Sequence, residues 1–158
     1  AEPFASLINP SDERFFKPDN MPSTIAGFCR ETSQPEPATH GATVRCVLES
    51  LALLYAQRLK EAEELTGQPI NRLHIVGGGS RNALLNQFTA NACGLEVVAG
   101  PTEATALGNV LVQAIALGDL PDLAAARQVV RQSMNVVSFQ PEDSSAWAAA
   151  KTRFKELT

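Results

Sequence analysis

The segment HIVGGGSRNALLNQFTANACGLEVVAG, from His74 to Gly100, constrains the fold more than any other part of the chain. A short apolar strand runs directly into Gly77, Gly78 and Gly79, and helix-forming sequence follows at once. A glycine turn between strand and helix leaves backbone N–H groups uncovered beside a helix N-terminus, an arrangement that favours a phosphate or a ribose. A nucleotide is therefore the first ligand class to consider. The three glycines taken alone are equally compatible with a tight turn that binds nothing, because short glycine motifs recur widely. Beyond the turn, Leu95 to Ala99 reads as a second buried strand, Gly100-Pro101 as a turn, and Thr102 with Glu103 as the start of another helix.

The rest of the chain reads as mostly helical. An irregular lead-in over residues 1–20, carrying three prolines and the apolar anchors Phe4, Leu7, Ile8, Phe15 and Phe16, precedes a helix. That helix starts at Pro22, a residue suited to the first helical position, and runs to about Thr32. SQPEP, from Ser33 to Pro37, interrupts the chain. The longest helix then spans about Thr39 to Thr66, with Val44, Val47, Leu48, Leu51, Leu54, Tyr55, Leu59 and Ala62 on one stripe, and Gly67 ends it. Downstream, the pattern predicts a strand at Leu73–Val76 and helices at Ser80–Cys93, Thr102–Leu117, Leu120–Gln132 and Glu142–Leu157, with a short edge strand at Val136–Phe139. The connection between the first two helices is short enough to fold them back as an antiparallel pair. It would bring Cys29 near Cys46.

Charge excludes some partners. A formal net charge of -4 over 158 residues leaves no basic footprint, so neither nucleic acid nor an anionic membrane surface is expected. No apolar run approaches the roughly 20 residues that span a bilayer, which predicts a cytoplasmic protein. The cysteines Cys29, Cys46 and Cys93 are widely spaced, and His40 and His74 are the sole histidines. That pattern gives neither a zinc site nor a disulfide framework, and no metal site is expected in the chain.

Two apolar strands of the parallel type do not make a self-sufficient core. With the irregular lead-in, this predicts that residues 1–158 are the C-terminal portion of a longer protein whose other strands lie upstream.

The segment VGGGSRNALLNQFTANACGLEVVAGPTEATALGN resembles the C-terminal nucleotide-binding domain of the FGGY carbohydrate kinases. FASLINPSDERFFKP, the CRET around Cys29 and ESLALLYAQRL from Glu49 are similar to the rhamnulokinase branch of that family. The resemblance implies an α/β fold, part of an actin-like, ribonuclease-H-like ATPase domain that is helix-rich with a small parallel sheet. It implies ATP in a cleft between two domains, with Mg2+ bound mainly through the nucleotide and the other domain. An N-terminal domain, absent here, would supply the phosphate-binding loop, most contacts to a ketose sugar such as L-rhamnulose, and the aspartate that accepts the sugar's proton. No catalytic residue is then expected in this chain, Asp12, Asp19, Asp119, Asp122 and Asp143 included, and the isolated fragment should be inactive.

Residue by residue, the resemblance places Gly77, Gly78 and Gly79 against the nucleotide, where glycine at the middle position would permit a positive φ and close approach. Ser80 is suited to cap the following helix. Asn82 aligns with an asparagine near the adenine in related kinases, although a solvated polar role fits it equally. Glu103 reads as helix-start chemistry in a first turn, Ala104, Ala106 and Gly108 as small residues for close packing, and His74 as a packed or edge residue of its strand. A reading of another class also stands, a non-catalytic α/β module for a nucleotide or a protein partner. Its dinucleotide-binding version is disfavoured, since GGGSRN lacks the GxGxxG spacing.

Overall fold

The computed structural model describes residues 1–142 and 145–158, so Asp143, inside the last expected helix, lies outside the described residues. Among the described residues, six α-helices and three strands follow a lead-in that contains one short 3-10 turn at Glu13–Phe15. Helix α1 is Met21–Glu31, capped by the Asn20 side chain on the Ser23 N–H, so that Pro22 occupies the second position and not the first. Helix α2 is His40–Thr66, capped by Thr39 and ended by Gly67. Strand β1 is Arg72–Ile75, α3 is Ala83–Cys93 and β2 is Glu96–Ala99. Helix α4 is Ala104–Leu117, α5 is Leu123–Ser133, β3 is Val137–Phe139 and α6 is Ser145–Lys155. Leu120 and Pro121 stand outside α5 because Asp122 caps it, accepting from the Ala125 N–H at 2.8 Å.

The sheet runs β1-β2-β3. β1 and β2 are parallel, Arg72 opposite Glu96 and Ile75 opposite Ala99, with the Arg72 guanidinium 2.6 Å from the Glu96 carboxylate. β3 is antiparallel to β2, pairing Val97 with Phe139, so the sheet is mixed where a purely parallel one was expected. The expectation of strands covered on both faces is met on one face of β2, where Val97 and Ala99 are buried, while Glu96 and Val98 on the other face are half-buried. It fails for β1, an edge strand whose Arg72 and His74 are exposed. Gly100 leaves β2 with φ +113, and a Cβ there would stand 2.8 Å from the Asn135 carbonyl, so no larger residue fits.

Most of the core lies away from the sheet. Leu7 of the lead-in, Leu48, Ala52 and Leu53 of α2, Phe88 and Ala92 of α3, and Trp147, Ala150 and Phe154 of α6 form one cluster. Trp147 meets Phe4 edge-on at 4.8 Å and Phe88 at 5.4 Å. A second cluster joins Ile8, Ile25, Phe28, Cys29 and Cys46. Cys29 and Cys46 are free thiols in contact, which fulfils the expected proximity without a covalent bond.

The apolar stripe read along α2 is not its buried face. Val44 and Tyr55 are exposed, whereas Glu49 and Ser50 are buried. Those two polar side chains accept the backbone N–H groups of Phe4 and Ile8, at 2.8 and 2.9 Å, so the lead-in lies where the stripe predicted solvent. Helix α4 shows a related departure, since it buries no residue and leaves Val110 and Val112 more than 60% exposed.

Candidate functional site

The glycine triplet sits at the C-terminal end of β1 and is not followed directly by a long helix. Gly77 to Arg81 form a 3-10 turn, and α3 begins only at Ala83. Two backbone bonds moor the turn to the loop after β2. The Gly100 N–H donates to the Ile75 carbonyl at 2.8 Å, and the Gly77 N–H donates to the Pro101 carbonyl at 3.1 Å.

The left-handed residue of the triplet is Gly77, with φ +76, and not Gly78. Only Gly67, Gly77, Gly94, Gly100 and Gly118 have positive φ among the described glycines, so the middle position is glycine for a reason other than backbone strain. Gly78 and Gly79 are exposed, and a Cβ added at Gly78 meets nothing within 4 Å. At Gly79 it would stand 3.7 Å from the Ile75 side chain, an ordinary contact. The backbone at Gly78 is thus bare to anything that approaches from solvent. The first N–H groups of such a helical turn have no partner within it.

The capping role expected of Ser80 falls to Asn82. The Ser80 hydroxyl donates to the Gly77 carbonyl at 2.7 Å, bracing the turn from inside. The cap of α3 is Asn82, whose Oδ1 accepts from the Leu85 N–H at 3.0 Å. The reason is the 3-10 turn, which delays the start of α3 by three residues and carries Ser80 out of the capping position. Asn82 remains exposed at the mouth of the turn.

Sequence reasoning missed Asn86. This fully buried side chain donates from Nδ2 to the Ser80 carbonyl at 2.9 Å. The available signal was an amide two positions before Phe88 on the face that α3 buries.

Beside the turn lies a shallow cavity of about 410 Å³, lined by Pro101, Thr102, Glu103, Ala106, Leu107 and Val110 among others. Glu103 occupies the cap position of α4, one residue before its first turn, and makes no capping bond. Ala106 lines this cavity, and a Cβ added at Gly108 would meet nothing within 4 Å, so close packing does not require glycine there. His74 is exposed on the sheet edge. Asp12 and Asp122 each cap a helical turn. Among the described residues, no three His, Cys, Asp or Glu side chains stand close enough to hold a metal ion. No helix of the described residues is long and apolar enough to cross a membrane.

Known proteins share this architecture. A solved xylulose kinase from Rhodospirillum rubrum superposes with a TM-score of 0.59 over 75% of this chain and 24% of its own, at 23% identity, a likeness of fold. A rhamnulokinase of Bacteroides thetaiotaomicron is 52% identical over 154 residues, which is 98% of this chain and 32% of that protein. One from Pectobacterium carotovorum is 46% identical over 155 residues, 98% of this chain and 31% of that protein. The chain therefore spans about a third of the length of these relatives. Residues 1–117 match the C-terminal domain of the FGGY family of carbohydrate kinases, which takes in the glycine turn and both of its moorings, and to that family the chain belongs.

Proposed function

We propose that the chain is the ATP-binding, C-terminal portion of a kinase that transfers the γ-phosphate to a ketose, L-rhamnulose. The observation that carries the ATP assignment is the uncovered backbone at Gly78, held in place by β1, β2 and α3 beside an open cavity. Similarity to two rhamnulokinases over 98% of the chain supports the sugar. The nucleotide fits what the residues offer: Gly77, Gly78 and Gly79 allow close approach, and the Ser80 hydroxyl keeps the turn folded. Asn82 spends its oxygen on the α3 cap and keeps Nδ2 to donate toward a base. Glu103, exposed beside the cavity, would repel phosphates, so the phosphate chain runs away from it.

Phosphoryl transfer asks a protein for positioning and charge stabilisation, with little covalent chemistry of its own. This portion positions the nucleotide. Magnesium would supply charge neutralisation of the phosphates, and among the described residues no three His, Cys, Asp or Glu side chains stand close enough to hold it. The sugar, the general base and the phosphate-binding loop belong to an N-terminal domain. Two assays test the proposal. The full-length protein should release ADP from ATP in the presence of L-rhamnulose in preference to other ketoses. The 158-residue chain alone should release none, since loss of general-base catalysis by itself removes about 10² to 10⁴ in rate. ADP release from the short chain, or indifference of the full-length protein to L-rhamnulose, would refute the corresponding part.

A further inference from the structure

The glycine turn is clamped from two sides of unlike construction. On the β2 side the clamp is backbone alone, Gly77 to Pro101 and Gly100 to Ile75. On the α3 side it is a relay of side chains. Asn86 Nδ2 donates to the Ser80 carbonyl at 2.9 Å, and the Ser80 hydroxyl donates to the Gly77 carbonyl at 2.7 Å, so the relay ends on the left-handed residue of the turn. Asn86 has 0% exposure, and α3 is fixed in the core through Phe88 and Ala92, which makes the starting point of the relay rigid.

The other half of the same amide is unused. Asn86 Oδ1 is buried and, among the described residues, has no hydrogen-bond partner. A buried carbonyl without a partner destabilises the fold, whereas an apolar side chain of the same shape would not. Among the described residues, the amide's one side-chain bond is to Ser80. Its presence is therefore accounted for by the turn and not by the core.

We infer that Asn86 is a positioning residue for the nucleotide, fixing the Ser80 carbonyl and through it the path of Gly77 to Gly79, an inference that rests on the nucleotide reading of that turn. It acts through the turn and does not touch the ligand, since it is fully buried.

The test uses the full-length protein with ATP as the probe. Asn86→Leu replaces the amide by a side chain of similar size, removing the donor and the orphaned oxygen together. It leaves the Ser80 carbonyl to water, Ser80 being half-buried. The melting temperature should hold or rise, while the Kd for ATP rises roughly three- to tenfold, the range expected for one lost hydrogen bond. The rate at saturating ATP and the KM for the sugar should not move. Asn86→Ala, which removes the amide by truncation, should weaken ATP in the same way even if it lowers the melting temperature. Gly78→Val serves as the control for the reading beneath. If Gly78→Val weakens ATP and neither Asn86 variant does, the positioning role is wrong and the nucleotide site stands. If none of the three weakens ATP, both are wrong. A lowered melting temperature with unchanged ATP affinity, or failure of both Asn86 variants to fold, assigns Asn86 to the core and overturns the inference.

Discussion

The backbone N–H of Phe4 donates to Oε2 of Glu49 at 2.8 Å across 45 positions of sequence, and this bond seats the lead-in on α2. Phe4 has φ 54, an unfavourable backbone state for a bulky residue, and its surroundings hold it there. Its carbonyl accepts from Arg153 at 2.7 Å, and its ring meets Trp147 edge-on. Glu49 is itself paired with Arg45 at 2.7 Å.

Burial holds the Glu49 carboxyl above its ordinary value, outweighing the lowering by Arg45 and by the Phe4 N–H. Since the folded-state value is the higher one, the folded protein binds more protons than the unfolded chain between the two values. Stability contributed by Glu49 is then lost as pH rises through that window. Glu49→Gln does not titrate. The unfolding free energy of the variant minus that of the parent should therefore grow as pH is raised from about 4 to about 8, because every other group cancels in the difference. Urea unfolding at several pH values measures it, and a flat or shrinking difference would contradict the sign.

Trp147 joins the lead-in to α3, with Phe4 on one side and Phe88 on the other. Trp147→Ala should cost about 3 to 5 kcal/mol, the range for a large aromatic removed from a core. Trp147→Phe should cost visibly less. Equal losses in denaturant titrations would show that ring size is not what matters there.

The thiols should be silent in the native protein. Burial pushes Cys93 up to about 11, so little of it is thiolate near neutral pH. Cys29 and Cys46 are buried, and their mutual hydrogen bond pulls Cys29 down while pushing Cys46 up. Iodoacetamide at neutral pH should add nothing to the folded chain and three groups in denaturant, as read by mass. Rapid labelling of Cys93 without denaturant would refute the burial argument.

Gly77 and Gly78 should respond to valine in opposite ways. Gly77→Val forces a branched residue to φ +76 and should cost about 1 to 2 kcal/mol or more of stability. Gly78→Val has open space and no positive φ, so its melting temperature should change little. Its affinity for ATP should fall at least about tenfold, 1.4 kcal/mol, with the sugar affinity unchanged. Normal ATP binding by Gly78→Val would remove the turn from the nucleotide site.

The local signals of this fold were legible where one residue type decides the geometry. Gly67, Gly94 and Gly118 end α2, α3 and α4 as their sequence positions foretell. The strand, turn and helix around the triplet followed from the same punctuation. What escaped depends on partners distant in sequence. Glu49 and Ser50 look like the polar side of α2 until the lead-in supplies backbone N–H groups to them. Asn82 displaced Ser80 as a cap because a 3-10 turn intervened, and no residue pattern distinguishes that turn from the first turn of an α-helix. Asn86 escaped because its bond to Ser80 exists only once that turn has formed.

The seat of the lead-in is built from both ends of the chain. Phe4 needs Glu49 from α2, and it also needs Arg153 and Trp147 from α6, the former 149 positions away. During synthesis, residues 1–8 leave the ribosome long before α6 exists, and contacts of such separation close late. Ile8 finds Ile25, Phe28, Cys29 and Cys46 once α2 has been made, but the seat of Phe4 waits for about 150 further residues of translation, at roughly 5 to 20 residues per second. Phe4 is thus the last part of the lead-in to find its place, and for those seconds its ring is what a chaperone would meet.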